Sequence, residues 1–193
     1  MGKLIFVVGA AGAGKTSVAR ALVSRRPAAF LDMDTLLRPA AEAIMTMAGL
    51  DPMDRDSPLY KARCRDLGYR ITMDAALENI ALGLDAVVIG PFTRETAEPD
   101  WLGRELARIG APREAVRVIV VTLPDTTSYE ARIRQRGSAL DDWKLEHWET
   151  FKTTLAEREV RWPLPTSAIL HYDNAGPLDE QALDRLERFV WDG

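Results

Sequence analysis

Cysteine is almost missing from this sequence. Cys64 stands alone, which excludes an internal disulfide and fits a reducing compartment. Histidine is nearly as scarce: His147 and His171 have no companions at metal-ligand spacing, so a histidine-based metal centre is not expected. Long apolar runs are lacking too. The run Leu4 to Val8 is too short for a secretory core, and no segment approaches the roughly 20 apolar residues of a membrane span. A cytoplasmic location without membrane contact is the expectation. Nor is there an excess of positive charge. The 25 Lys and Arg against 29 Asp and Glu give a net charge of -4, which disfavours a dedicated nucleic-acid binder while leaving room for a local basic groove. Repeats, low-complexity tracts and linkers are absent as well. With 193 residues, the chain holds one full core but not two large domains, so a single domain over residues 1–193 is expected.

What is present is an alternation of two patterns. LIFVV (4–8), AAFLDMD (28–34), AVVIG (86–90), VRVIVVTL (116–123) and SAILHY (167–172) are continuous apolar runs. Such runs read as strands of a parallel sheet covered on both faces. Between them, helical spacing predicts helices over 15–26, 58–84, 96–109, 125–136 and 178–191. Strands alternating with helices indicate a three-layer α/β fold. Residues 137–165 break the pattern. They are polar, rich in Trp and charge, and read as an accessory helical segment.

Directly after the first predicted strand comes Gly9-Ala10-Ala11-Gly12-Ala13-Gly14-Lys15-Thr16, a match to G-x-x-x-x-G-K-[ST]. A strand before the motif and a helix after it are the context this phosphate loop requires. Its glycines let backbone N–H groups face an anion, the helix start adds a positive end, and Ser17 is next in line. Lys15 can reach the outer phosphates and the Thr16 hydroxyl can ligate Mg²⁺. A bound nucleoside triphosphate follows. GTPases are disfavoured because no N-K-x-D is present, and Asp173 to Gly176, a D-x-x-G, falls after the last strand. A dedicated hydrolase is disfavoured because AVVIG continues into Pro91 and Phe92 where a water-activating acid would sit.

Asp32 and Asp34 close the second strand. Residues i and i+2 of a strand project to one side, so two carboxylates would repel there unless a cation sits between them and the phosphates. One carboxylate can hold Mg²⁺, and the other can accept the proton of an attacking hydroxyl. Asp34 could instead cap a helix beginning at Thr35. The arginines Arg132 and Arg136 are four apart and share a helix face.

The phosphate loop, the D-x-D, the length and the arginine-bearing segment after the fourth strand resemble the shikimate kinase and gluconate kinase group. More broadly, they resemble P-loop kinases related to nucleoside monophosphate kinases, including chloramphenicol phosphotransferase-like enzymes. The resemblance implies a five-stranded sheet in the order 2-3-1-4-5 with helices on both faces and a helical lid over about 126–165. It implies ATP as donor, Asp34 as base toward a small-molecule hydroxyl (sugar acid, cyclitol, nucleoside or antibiotic) and Asp32 assisting Mg²⁺. Arg132 and Arg136 would close over the phosphates, and Asp173 and Asn174 would lie at the adenine. The acceptor is expected between Asp34, the 58–84 helix and the turn at Gly90 and Phe92, with Arg63 and Arg70 as candidate ligands. Asp34 followed by Arg38 also resembles polynucleotide 5′-kinases and zeta-toxin-like kinases, where a basic residue helps place substrate. A monomer or homodimer is expected.

Overall fold

The structure, a computed structural model, describes every residue except Asp56, Ala139, Leu140, Glu157 and Gly193. β1 (Leu4–Val8) leads through the glycine loop into α1 (Lys15–Arg25), and β2 (Ala29–Asp32) runs straight into α2 (Met33–Met47). Next come α3 (Pro58–Tyr60), a π turn (Lys61–Arg65) and α4 (Asp66–Ala81). β3 (Ala86–Ile89), α5 (Thr93–Ala97), α6 (Trp101–Ala107) and β4 (Val116–Thr122) form the middle of the chain. α7 (Thr126–Arg136), α8 (Asp142–Glu146), α9 (Trp148–Phe151), β5 (Ile169–Asp173) and α10 (Glu180–Trp191) complete it.

Strand alternation explains why the strand sequences show no polar face. Ile5 and Val7 of β1 pack with Val18, Ala19 and Leu22 of α1 and with Leu186 and Val190 of α10. Leu4, Phe6 and Val8 point the other way, onto Met73, Leu77 and Ile80 of α4 and Leu102 of α6. Both sheet faces are therefore covered. All pairings are parallel, in the order β2-β3-β1-β4-β5. This is the predicted fold: a five-stranded parallel sheet in the order 2-3-1-4-5 with helices on both faces.

Several element boundaries differ from the sequence reading, each for a local reason. β2 ends at Asp32, whose carboxylate accepts a hydrogen bond from the Asp34 N–H at 3.0 Å and caps α2. The capping aspartate is thus Asp32, one turn-start earlier than a helix opening at Thr35. α2 persists through Pro39 because Met33, Leu37, Ala41 and Met45, at i, i+4 spacing, form a buried stripe. That burial outweighs the backbone bond lost at proline. The helix predicted over 58–84 stops at Ala81, with Gly83 at φ 86° and Leu84 left exposed. The helix predicted over 96–109 is two short ones, because Pro99 holds Glu98 extended. Ala139, Leu140 and Glu157 of the accessory segment 137–165 lie outside the described residues. Farther on, Trp162 fastens the chain: its indole N–H donates to the Glu95 carbonyl at 2.7 Å and its rings stack on Trp101 with centroids 5.5 Å apart. Among the described residues, no helix is long and apolar enough to cross a membrane.

Candidate functional site

The loop between β1 and α1 is built by backbone geometry that side chains would obstruct. Gly9 sits at φ 146°, and a Cβ there would lie 2.3 Å from the Val121 carbonyl oxygen of β4. Gly14 sits at φ 93°, where a Cβ would meet the Asn174 amide nitrogen at 2.3 Å. The chain therefore turns tightly around Ala10 to Ala13 and delivers its N–H groups to the start of α1. Ala10 and Ala13 are buried, while Ala11 and Gly12 are half-buried. Lys15 lies back along this loop, its Nζ donating to the Ala10 carbonyl at 2.9 Å. Burial pushes the Lys15 ammonium down to about 8, opposed by the carboxylates of Asp34 and Asp32 and reinforced by Arg158 and Arg136. Ser17 is exposed on the first turn of α1.

Thr16 and Asp32, read separately in the sequence, are joined: Thr16 Oγ1 donates to Asp32 Oδ2 at 2.9 Å. A hydroxyl and a carboxylate side by side are hard oxygen donors of the kind Mg²⁺ takes, and this ion uses only one or two carboxylates. Asp34 belongs to the first turn of α2, not to β2. The expected strand alternation therefore does not hold. The carboxylates converge because the chain passes from strand to helix between them. Asp34 is exposed, yet desolvation by the surrounding chain, and then the Asp32 carboxylate, raise its carboxyl above the ordinary range, moderated by Lys15, Lys144 and Arg136. An acid so perturbed beside a lysine at a sheet's carboxyl edge is a candidate proton acceptor.

Two further segments reach the loop. The Asn174 side chain, buried after β5, donates to the Ala13 carbonyl at 2.8 Å. Arg132 of α7 donates to the same carbonyl at 3.5 Å and to the Asn174 carbonyl. Asn174 therefore braces the phosphate loop, whereas Asp173 turns its carboxylate onto the Ala175 N–H at 2.9 Å. Arg136, on the same face of α7 as Arg132, forms a two-pronged pair with Asp141, while Arg134 points away to Glu130.

On the acceptor side, Phe92 and Arg63 are placed elsewhere, while Gly90 and Arg70 are already engaged by neighbours. Phe92 is fully buried at φ 42°, packed edge-on to Phe6 at 5.3 Å and near Tyr69. It belongs to the core and forms no cleft wall. Gly90 gives way to that ring, since a Cβ there would stand 3.1 Å from it. Arg70 is held by Glu105 at 2.7 Å and Asp74 at 2.9 Å. Arg63 lines an apolar groove with Ile44, Leu50 and Leu59. Residues seven apart share a face on a regular α-helix, but the π turn at Lys61–Arg65 adds a residue per turn and rotates Arg63 away from Arg70. Arg38 is exposed on α2, one turn beyond Asp34.

The π turn instead presents Arg65, which pairs with buried Glu95 at 3.3 Å and covers the Tyr69 ring at 4.8 Å. Beside it lies Arg158, with a buried Nε that meets no hydrogen-bond partner among the described residues. Burial lowers the Arg158 pKa, and among the described residues the charged or ionisable groups acting on it most are Tyr69, Tyr129 and Arg65, none of them a carboxylate. Arg158 is half-buried, and a cation partly withdrawn from water without a carboxylate among the described residues acting on it is costly. Neither residue was legible in the sequence: no motif marks Arg158, which sits in a run of alternating charges.

A family model described as AAA domain matches residues 4–158. No curated protein matches the chain. Among solved structures, it is similar to a candidate kinase from Chloroflexus aurantiacus, with 18% identity, 97% of each chain covered and a TM-score of 0.70. A sugar kinase from a Janibacter species is 15% identical over 98% of this chain and 95% of its own, with a TM-score of 0.64. The APS kinase of Mycobacterium tuberculosis, solved with AMPPNP and APS, is 18% identical over 100% and 98%, with a TM-score of 0.59. At these identities the likeness is one of fold.

Proposed function

The chain belongs to the AAA domain family, and from that membership and the geometry of the cleft we propose that it is an ATP- and Mg²⁺-dependent phosphotransferase acting on a hydroxyl of a small molecule. One observation carries the reading. A glycine-built phosphate loop ending in Lys15 lies against a Thr16–Asp32 pair and the raised carboxyl of Asp34. A site built only to bind nucleotide has no use for a second carboxylate near Lys15.

The loop N–H groups and Lys15 hold the β- and γ-phosphates. Thr16 and Asp32 are the residues that would hold Mg²⁺, which when bound neutralises phosphate charge. Asp34 accepts the proton of the acceptor hydroxyl as its oxygen bonds to the γ-phosphorus and the bond to ADP's oxygen breaks. Arg132 and Arg136 stand over the phosphates from a lid spanning about 126–165, within a single domain of residues 1–193. Arg158 supplies a cation to anionic charge in the cleft, on the phosphoryl group or the acceptor. Two of the solved structures to which the chain is similar support a small acceptor, since they are described as a sugar kinase and an APS kinase. Sugar acids, cyclitols, nucleosides and antibiotics fit this chemistry. The expected setting is the cytoplasm, as monomer or homodimer.

A second reading, a polynucleotide or nucleoside 5′-hydroxyl kinase, is favoured by Arg38, exposed one helical turn from Asp34. Transfer of ³²P from γ-labelled ATP with Mg²⁺ separates the two. Label on a member of a hydroxyl-rich metabolite and antibiotic library supports the first reading, and label on 5′-hydroxyl oligonucleotides supports the second. Label released only as free phosphate points to a third alternative, a non-catalytic nucleotide-binding regulator, or to an acceptor missing from both pools. Asp34→Asn is expected to keep ATP affinity within about twofold and lower transfer by about 10²–10⁴-fold.

A further inference from the structure

We infer that Asp141 is a positioning residue of this site, its sunken carboxylate gripping Arg136 and Lys144 so that both cations are held toward the phosphoryl group being transferred. The inference rests on the kinase reading above. Asp141 is 1% exposed, an unusual place for a carboxylate on a polar segment. Its two oxygens accept from Arg136 Nε at 2.7 Å and Nη2 at 2.6 Å, the fork geometry that fixes a guanidinium plane. The Lys144 ammonium approaches Oδ1 at 3.2 Å. The backbone is pinned as well, since the Asp141 N–H donates to the Ser138 carbonyl at 2.8 Å.

Each part of the arrangement has a directional consequence. Arg136 is the last residue of α7 and Lys144 lies in α8, so one carboxylate ties two helices of the lid. The Arg136 side chain remains 52% exposed while its anchor is sunk, so the cation projects outward from a fixed base. The charges of Arg136 and Lys144 both reach Asp34, and that of Arg136 reaches Lys15. Stability alone is a weak reason to bury such a group, because desolvation offsets most of what a buried ion pair gains. Arg134 is the contrast within α7: its pair with Glu130 is a solvated i, i+4 contact that fixes nothing in the cleft.

Equilibrium binding of ADP and of a non-hydrolysable ATP analogue, both with Mg²⁺, tests this role without knowledge of the acceptor. If Asp141 orients cations for the terminal phosphate, Asp141→Asn weakens the triphosphate about tenfold and leaves ADP within about twofold. In the Arg136→Ala/Lys144→Ala background the same change has no further effect, because it acts only through those two residues. Equal loss for both nucleotides, no loss, or an additive loss in that background would overturn the role. A thermal melt accompanies each variant. Should Asp141→Asn melt below the assay temperature, Arg136→Gln reads the contact from the other side and must show the same selective loss. Wild-type protein that bound neither nucleotide would overturn the kinase reading and this role with it. Normal wild-type binding with an insensitive Asp141→Asn would overturn this role alone.

Discussion

The depressed ammonium of Lys15 should make ATP affinity depend on pH in a range where most lysines are silent. The fall from 10.5 to about 8 is worth about 3 kcal/mol of preference for the neutral amine, and burial is its main cause. A triphosphate placed on the loop favours the ammonium and reverses that preference. Binding therefore takes up a proton, about half of one per site near pH 8, and approaching one near pH 9. The apparent Kd for ATP should change little from pH 6 to 7 and rise about tenfold between pH 7 and 9. Titration calorimetry in two buffers of different ionisation enthalpy measures the proton uptake directly, and Lys15→Ala should bind ATP weakly with a flat profile over the same range. Affinity independent of pH in the wild type, with no proton uptake, would refute the reasoning. Stability gives an independent check. The unfolded chain binds the proton that the folded chain has lost, so without nucleotide the Lys15 contribution to stability rises as pH climbs from about 8 toward 10.5.

Asp34 sets the opposite limb. Its raised carboxyl must lose a proton to act as base, so kcat/KM should fall on acidification from a pH above the ordinary carboxylate range, and a profile flat into that range would remove Asp34 from the role. Phe92→Ala empties a fully buried aromatic cluster and should cost about 3–5 kcal/mol in urea denaturation. A loss below about 1 kcal/mol would mean the ring does not hold the turn after β3. Asn174→Ala leaves the Ala13 carbonyl one bond poorer, so stability should drop by about 1–3 kcal/mol with weaker nucleotide binding. Unchanged affinity in calorimetry would separate the brace from the loop's function. Arg158→Met removes a buried guanidinium nitrogen with no partner among the described residues. The melting temperature should hold or rise while transfer falls at least about tenfold, and a marked loss of stability would show that the arginine serves the fold.

Elements whose signal is local were legible without coordinates. β1 and α1 meet the sequence reading almost to the residue, because five buried apolar residues and a glycine loop leave one backbone solution. The Thr16–Asp32 contact was foreseeable only as two separate candidate metal ligands, since nothing in the sequence measures the 2.9 Å between them. Where the sequence reading erred, it extended a period through a place where the backbone changes it. Residue alternation was carried past Asp32 into α2, and a seven-residue helical face was carried across the π turn at Lys61–Arg65.

By itself, then, the sequence determined a parallel α/β sheet, a glycine loop at Gly9 to Thr16 between a strand and a helix, and two aspartates close to where the second strand ends. Each is written in contiguous residues whose spacing has one physical meaning. Tertiary structure alone decided which side chains share the cleft. It sealed Phe92 in the core, turned Arg70 onto Glu105, buried Asp141 under Arg136, and brought Arg158, unmarked by any motif, to act on Lys15 from 143 positions along the chain. Those outcomes depend on packing and on where buried charges find partners, and contacts between distant segments are what a one-dimensional pattern does not carry.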